Sequence, residues 1–248
     1  MNKITVCIGS KGRLNTTTYK LFDKKYFDVY HFIEPQEMDL YDVPNKVSIG
    51  KNDMGIAYMR NFLLQWSKKE KKEWVIFSDD DITSFGESVG AKTIKKDSKV
   101  LLKIYEKIKK LPFEIAGMNY SQYAWSESKQ YRINAGSVDC CIFVNVKKIK
   151  WEFDESLQFK ADREFIMQTI KKGYGVVKFG KIFFSCPNIG SNKGGLHDLY
   201  ANRVDEESIK QLAIRWNPYV KLRKNRTGRL DGKILYSQIA KDNNKLFV

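Results

Sequence analysis

The feature that most constrains this chain is an apolar strand that ends in three consecutive acidic residues. The run from Trp74 to Ser78 reads WVIFS and is apolar enough for an internal strand, and Asp79, Asp80 and Asp81 follow it directly. Adjacent carboxylates repel one another unless a cation lies among them. The segment therefore predicts a buried strand whose end holds something positively charged.

Strand and helix patterns alternate through the first third of the chain. Residues 3–10, 28–35 and 46–50 resemble strands that stop at Gly or Pro, and residues 55–69 carry apolar side chains at helical spacing. Asn and Thr residues also predict a helix start within 15–21. Such alternation predicts an α/β fold with a mostly parallel central sheet and helices on both faces. Ligands bind such sheets at the carboxyl ends of the strands, where Ser10, Glu34, Gly50 and the acidic triplet would lie.

The remainder of the chain continues this pattern less regularly. The predicted elements are a helix over 97–110, strands over 113–120 and 140–146, a helix over about 162–172, and strands over 175–179 and 181–185. Two stretches, 121–138 and 186–204, lack periodicity and have the length of binding loops or lids.

Composition limits the class of protein. With 248 residues, of which 42% are hydrophobic, we expect one large domain over 1–202 and a basic extension over 203–248 packed on it. The formal net charge of +15 predicts attraction to polyanions, although a merely lysine-rich surface would give the same number. No apolar run reaches the roughly 18 residues of a membrane span, so we expect a cytoplasmic protein with no membrane partner. The four cysteines form no CxxC pair, and we expect them to be reduced. We also expect a monomer.

The acidic triplet suits one kind of chemistry in particular. Carboxylates at a strand end form an oxygen-only site, which Mg²⁺ or Mn²⁺ prefers, and a diphosphate is the usual co-ligand. An ion held in this way neutralises a leaving diphosphate, which sugar transfer from a nucleotide sugar requires. The alternative is a solvated acidic turn in which Asp81 caps a helix. The turn IGSKGR matches neither GxGxxG nor a P-loop, which argues against dehydrogenases and kinases.

These motifs resemble those of a known family. VIFSDDDI, preceded by GIAYMRNFLLQ, is similar to the glycosyltransferases of the GT-A fold. Within that fold, KITVCIGSKGR, YHFIEPQEMDLY, DMGIAYMRNF and SDDDITSF resemble the glycosyltransferases associated with DNA-hydroxylating oxygenases of the TET and JBP type and their bacteriophage relatives, over most of residues 3–200. The resemblance implies metal-dependent transfer of glucose or arabinose from a UDP-sugar to 5-hydroxymethylcytosine in phage DNA, within the host cytoplasm.

The same resemblance implies roles for individual residues of the donor site. Asp79 and Asp81 would hold the metal and diphosphate, Asp80 would lie nearer the ribose or sugar, and His197 would complete the metal site. Arg60 would line the nucleotide pocket, and Ser10, Arg13 and Glu34 follow the first two strands as candidate nucleotide contacts. A structural histidine and a solvated arginine are the alternatives for His197 and Arg60.

The motif KADREF, residues 160–165, matches the family's acidic motif at a helix start. Deprotonating an acceptor hydroxyl requires a carboxylate within hydrogen-bond reach, and a helix N-terminus keeps such a group ionised. We expect Asp162 to be the base, with Glu164 as the second candidate. The alternative is an N-cap and a solvated acid of the first turn.

A DNA acceptor would require phosphate contacts and aromatic side chains that stack on an exposed base. The candidate DNA-binding residues of the 121–138 loop and the basic tail are Tyr123, Trp125, Arg132, Lys221, Arg223, Lys224, Arg226 and Arg229. Two alternatives stay open: a GT-A enzyme with a carbohydrate, lipid or protein acceptor, and a DNA-binding protein without catalytic activity.

Overall fold

The protein is described here from a computed structural model, which describes residues 3–188, 191, 193–225 and 228–243. Within these residues, ten strands form one sheet and two form a separate hairpin. The strands are β1 Ile4–Ser10, β2 Phe27–Ile33, β3 Lys46–Ser48, β4 Trp74–Asp79, β5 Ser84–Val89, β6 Lys92–Lys96, β7 Ile115–Tyr120, β8 Tyr131–Ile133, β9 Cys141–Asn145, β10 Val176–Ser185, β11 Val220–Lys224 and β12 Leu230–Ile234.

The large sheet has the order β3-β2-β1-β4-β9-β7-β10-β5-β6, and β8 pairs with β10 beside β5. Strands β3, β2, β1 and β4 are parallel to one another, and β7 is parallel to β10. Strand β9 lies antiparallel between β4 and β7. The predicted α/β sheet is thus confirmed, and its longest parallel run is the half that ends in the acidic triplet.

Helices cover both faces of the sheet, as the alternation predicts. They are α1 Gly55–Lys69, α2 Val100–Ile108, α3 Ser121–Ala124, α4 Ala161–Lys171, α5 His197–Ala201, α6 Val204–Arg215 and α7 Tyr236–Asp242. Leu63 of α1 and Phe165 of α4 belong to one buried cluster, and Leu101 and Ile104 of α2 belong to a second. No helix among the described residues is long and apolar enough to cross a membrane.

Some local predictions differ from the structure. The helix expected within 15–21 is a short 3-10 turn, Thr18–Leu21. The strands expected at 175–179 and 181–185 are one strand, β10, whose pairing with β7 shifts register between Phe179 and Phe183. The hairpin β5–β6 was not predicted, because every residue of β6 is exposed and the segment lacks the apolar alternation of a half-buried strand.

The C-terminal segment is built into the core. Ile209 and Leu212 of α6 and Ile239 and Ala240 of α7 are buried in the same cluster as Phe165. A Cβ atom on Gly232 of β12 would lie 2.5 Å from Ile209, so the hairpin packs closely on α6. The described residues between 203 and 243 therefore share one apolar interior with α1 and α4; the domain boundary at 202 stays a prediction.

Candidate functional site

The carboxyl ends of β1 and β4 bring together six of the predicted residues. Gly9 is in register with Asp79 across this parallel pair. Around this point lie Ser10, Arg13, Arg60, Asp79, Asp80 and Asp81, which we call the triplet site. The Ser10 hydroxyl is buried and has no hydrogen-bond partner within the described part of the chain. A buried polar atom of this kind is commonly satisfied by a ligand or water.

Two arginines supply positive charge to the triplet site. Arg60 Nη2 of α1 lies 2.5 Å from Asp79 Oδ1, and the Arg60 side chain is only 11% exposed. Arg13 Nη1 lies 2.5 Å from Asp80 Oδ1 and 3.4 Å from Asp81 Oδ2. Paired charges of this kind tolerate burial that single charges do not. The adjacent acids are therefore held by cations from two distant segments of the chain.

The triplet site still carries an excess of negative charge. Burial raises the pKa of Asp79 to about 6 against the opposing effect of Arg60, and Asp81 adds to the rise. Burial likewise raises the pKa of Asp80 to about 7, although Arg13 lowers it. Asp80 Oδ2 is buried without a hydrogen-bond partner among the described residues. An added cation would relieve this charge, so the oxygen-rich donor set fits Mg²⁺ or Mn²⁺.

The metal ligands expected from the sequence are not preassembled. Within the described ranges, no group of three or more His, Cys, Asp or Glu side chains is arranged to hold a metal ion. His197 begins α5, directly after a loop that contacts the first turn: Gly195 N donates to Lys11 O at 2.9 Å, and Arg13 Nε donates to Lys193 O at 3.2 Å. This loop places His197 near the carboxyl end of β1, at the same edge of the sheet as the triplet.

Glu34 extends the polar edge at the end of β2. Its carboxylate accepts a hydrogen bond from Lys11 Nζ at 3.0 Å and one from Gln36 Nε2 at 2.8 Å. Lys11 also pairs with Asp53. The predicted nucleotide contacts Ser10 and Glu34 thus lie at the ends of neighbouring strands, β1 and β2.

Two further carboxylates, Asp139 and Asp162, lie close to the triplet site. We call them the carboxylate pair. Asp162 lies in the first turn of α4, and Asp139 immediately precedes Cys140, whose carbonyl accepts a hydrogen bond from Asp79 N at 2.6 Å. Burial raises the pKa of Asp139, and the nearby charge of Asp162 raises it further. The carboxylate pair therefore adjoins the triplet site.

Sequence reasoning missed Asp139. The only local signal was one acid in SVDCC, shortly before a strand, and Asp is common in the turns that lead into strands. What makes the position special is the antiparallel insertion of β9, since Ser78 at the end of β4 faces Cys141 at the start of β9.

Glu164, the second candidate base, lies on another side of α4. It is buried, and it accepts a hydrogen bond from Gln168 Nε2 at 2.7 Å. Burial raises its pKa, and Asp154 and Arg215 are the charged groups beside it. Two helical positions separate it from Asp162 by about 200° around the axis. Of the two candidates, Asp162 is the one that lies beside Asp139.

The candidate DNA-binding residues fall into three groups. Tyr123 and Trp125 are more than half exposed, and Arg132 pairs with Glu127 at 2.7 Å. Arg229 is engaged internally, since its Nη2 lies 2.6 Å from Asp205 Oδ1. The exposed tail residues are Lys221, Arg223 and Lys224; Arg226 lies outside the described residues.

One side of the hairpin is cationic and reaches α4. Directly opposed residues share a face of an antiparallel pair, so Lys221 and Lys233 lie on the same side as Arg223 and Asp231. We call Lys221, Arg223 and Lys233 the hairpin face. Asp231 pairs with Arg163 at 2.9 Å, in the first turn of α4. The hairpin face thus adjoins the helix end that carries Asp162.

A family model described as TET-associated glycosyltransferase matches residues 4–195. Among solved structures, residues 1–349 of S. aureus TarS in complex with UDP are similar, with a TM-score of 0.52 and 13% identity over 84% of this chain and 65% of that chain. The chain thus spans slightly less than two thirds of that relative.

A second solved structure is CMP:2-keto-3-deoxy-manno-octonic acid synthetase with CTP, at a TM-score of 0.48 and 9% identity, covering 87% of this chain and all of the other. No curated protein sequence matches the chain. At these identities, the likeness to TarS shows a shared GT-A-type fold.

Proposed function

Because the chain belongs to the TET-associated glycosyltransferase family, we propose that it transfers a sugar, glucose or arabinose, from a UDP-sugar to 5-hydroxymethylcytosine in double-stranded DNA. The observation that carries the proposal is the meeting of the triplet site with the carboxylate pair at one edge of the sheet. Sugar transfer requires these two elements side by side: a place for the diphosphate and a base for the acceptor.

The triplet site is proposed to hold the UDP part of the donor. The similar structure of TarS is a complex with UDP. Ser10 and Glu34 would contact the nucleoside, and Arg13 and Arg60, which pair with Asp80 and Asp79, would use their remaining N–H groups to bind phosphate oxygens. Asp79, Asp81 and His197 would hold Mg²⁺ or Mn²⁺, which when bound would offset negative charge on the departing diphosphate.

Asp162 is proposed as the base for the acceptor. It would take the proton of the hydroxymethyl group as that oxygen forms a bond to the anomeric carbon, while the bond from this carbon to the diphosphate breaks and its electron pair leaves with UDP. One displacement of this kind inverts the anomeric configuration. Asp162 lies in the first turn of α4, where the next residue is Arg163.

The hairpin face is proposed to bind the phosphates of the DNA. Its three cations are exposed, and none of them pairs with a carboxylate in the described part of the chain. Unpaired Lys and Arg side chains release counterions from DNA, which supplies affinity that does not depend on sequence. The pairing of Asp231 with Arg163 connects this surface to the helix of the proposed base.

Incubation with radiolabelled UDP-glucose or UDP-arabinose, Mn²⁺ or Mg²⁺, and a duplex with or without 5-hydroxymethylcytosine tests the proposal. We expect label on the modified duplex alone. Absence of label on modified DNA with every UDP-sugar would refute it. The double variant Asp79→Asn, Asp81→Asn distinguishes an enzyme from a DNA-binding protein without activity, because the latter would keep its function.

A second acceptor class has some support from exposed aromatic rings. Tyr123 and Trp125 are 57% and 53% exposed, and such rings stack on sugars as well as on bases. A carbohydrate acceptor would take label from the same donors in the absence of DNA. Lipid and protein acceptors belong to the same test.

A further inference from the structure

A polar groove lies beside the carboxylate pair, outside the triplet site. It encloses about 280 Å³ between the segment 121–136 and strand β10. Its lining includes Tyr123, Ser126, Glu127, Arg132, Gly136 and Lys178. This volume is close to the lower end of the range for small-molecule sites. The groove is therefore large enough for one nucleoside and too small for a duplex.

The groove is held open by fixed walls. Glu127, whose side chain is 7% exposed, accepts hydrogen bonds from Arg132 Nε at 2.7 Å and from Lys129 N at 3.0 Å. The loop also rests on β10 at Gly180, which donates to Gln130 O at 2.9 Å. A Cβ at this glycine would lie 2.3 Å from Lys129 O. An ion pair to the buried carboxylate of Glu127 and a close backbone contact thus preform the groove before any ligand enters.

The inner wall of the groove leads to the carboxylate pair. Lys178 is in register with Gly117 of β7, and a Cβ on Gly117 would lie 2.5 Å from Val138 Cβ. Val138 therefore crosses directly over β7 and brings the next residue, Asp139, beside the groove. Burial lowers the pKa of Lys178, and Asp139 is the first charged group that opposes this effect. Asp139 thus acts on Lys178 on the groove side and on Asp162, the proposed base, on the other.

We propose that this groove receives the acceptor pyrimidine nucleotide after it has turned out of the duplex. Tyr123 would stack on the pyrimidine ring, and Arg132 and Lys178 would face its phosphodiester. The hydroxymethyl group would then point toward Asp139 and Asp162. A base inside the duplex cannot reach a recess of this size, and extruded bases are typically held by stacking and polar contacts. This assignment rests on the proposed function, since it names where the DNA substrate of that reaction is held.

Filling the groove tests this assignment. Ser126 lines it, whereas Ser128 is exposed and does not, so Ser126→Trp and Ser128→Trp form a matched pair. The substrate is a duplex with one 5-hydroxymethylcytosine beside 2-aminopurine, whose fluorescence rises when its neighbour leaves the stack. We expect Ser126→Trp to lose the fluorescence rise and to slow transfer by roughly tenfold or more, the size of one lost stacking contact. Ser128→Trp should behave as the wild type.

Release of UDP from the donor into water should be unchanged in Ser126→Trp, because the triplet site is untouched. Wild-type transfer without a fluorescence rise, or normal transfer by Ser126→Trp, would overturn the groove assignment and leave the proposed function standing. A wild type that modifies no DNA, with any UDP-sugar, would overturn the proposed function itself. If the wild type neither modifies DNA nor gives a fluorescence rise, the groove assignment and the proposed function are both refuted.

Discussion

The triplet site and the hairpin face carry their cations in opposite ways. At the triplet site, Arg13 and Arg60 are 21% and 11% exposed, and each lies against a carboxylate at 2.5 Å. On the hairpin face, Lys221, Arg223 and Lys233 are exposed and, within the described residues, face no carboxylate at ion-pair distance. The first arrangement fixes positions, and the second leaves charge free to act on a partner.

This difference teaches how a net charge of +15 should be interpreted. A paired, buried arginine adds little to the field outside the protein, because its partner cancels it at short range. Arg229 illustrates the point: it lies in the basic tail, yet it pairs with Asp205 and donates to Tyr200 O at 2.8 Å. Charge in the sequence becomes charge available to DNA only where the fold leaves it unpaired.

The largest expected effect concerns the point where the two regions meet. Asp162→Asn should lower kcat for sugar transfer by about 10²–10⁴, because the acceptor proton loses its base. Glu164→Gln is the matched control on the same helix, and it should change kcat by a few-fold at most, since Glu164 lies among Gln168 and Arg215. Steady-state kinetics on hydroxymethylated DNA measure both. Equal losses in the two variants would contradict the assignment of the base.

A second prediction separates the regions by stability. Arg60→Gln removes the partner of a partly buried carboxylate and should lower the free energy of unfolding by about 2 kcal/mol. Lys221→Gln changes an exposed, unpaired cation and should stay within about 0.5 kcal/mol of the wild type. Urea unfolding at pH 7 gives both values. If the two variants were equally stable, the triplet site would not depend on its paired charges.

A third prediction concerns the salt dependence of DNA binding. Changing Lys221, Arg223 and Lys233 to Gln together should weaken binding and reduce the slope of log K against log salt by up to about 2.7, at about 0.9 for each phosphate contact. Arg229→Gln should leave that slope unchanged and lower stability instead, because its guanidinium holds Asp205. The affinity for DNA, measured by fluorescence anisotropy at several salt concentrations between about 50 and 200 mM, gives the slope for each variant. A reduced slope for Arg229→Gln alone would reverse the comparison.

The smallest expected effect is a pH dependence within the parallel half of the sheet. His31 on β2 is buried, and burial lowers its pKa below the usual 6.5, although the contact of Nδ1 with Pro44 O at 2.9 Å opposes this. Below pH 6.5 the unfolded chain thus binds the additional proton more readily than the folded one. This contribution to stability is complete above pH 6.5 and is lost as the pH falls through the lowered folded pKa.

Urea unfolding of the wild type and His31→Gln at pH 5 and pH 8 isolates this contribution. Asp79 and Asp80, whose pKa values are raised to about 6 and 7, act in the opposite sense. Their contribution to the free energy of unfolding is lost as the pH rises. The difference between the two proteins removes those terms. We expect the wild type to lose more stability on acidification than the variant, and an identical pH dependence would mean that His31 does not titrate with unfolding.

Local patterns were sufficient for the elements that are regular and half buried. Helix α1 begins at Gly55 and ends at Lys69, as its apolar spacing predicts. Strand β4 contains the whole apolar run WVIFS. The hairpin β5–β6, whose second strand is exposed, and the hairpin β11–β12 were missed, because their strands gain their order from neighbouring strands and helices rather than from their own alternation.

The candidate site divides in the same manner. An acid triplet directly after a buried strand can be identified in the sequence, and so can an acid at a helix start such as Asp162. The partners of those acids cannot, since Arg13 and Arg60 come from segments 67 and 19 residues away from Asp80 and Asp79. Of the two acids at the start of α4, only the orientation of the helix distinguishes Asp162 from Glu164.

The sequence by itself determined an α/β chain with a carboxylate-rich strand end, because strand and helix periodicity are local properties of the side chains. Tertiary structure alone decided that Asp139 joins the site. Strand β9 enters antiparallel between β4 and β7, so its first residues lie beside the last residues of β4. The order of strands in a sheet depends on packing between segments that are distant in sequence. Local residue spacing therefore does not predict which strands become neighbours.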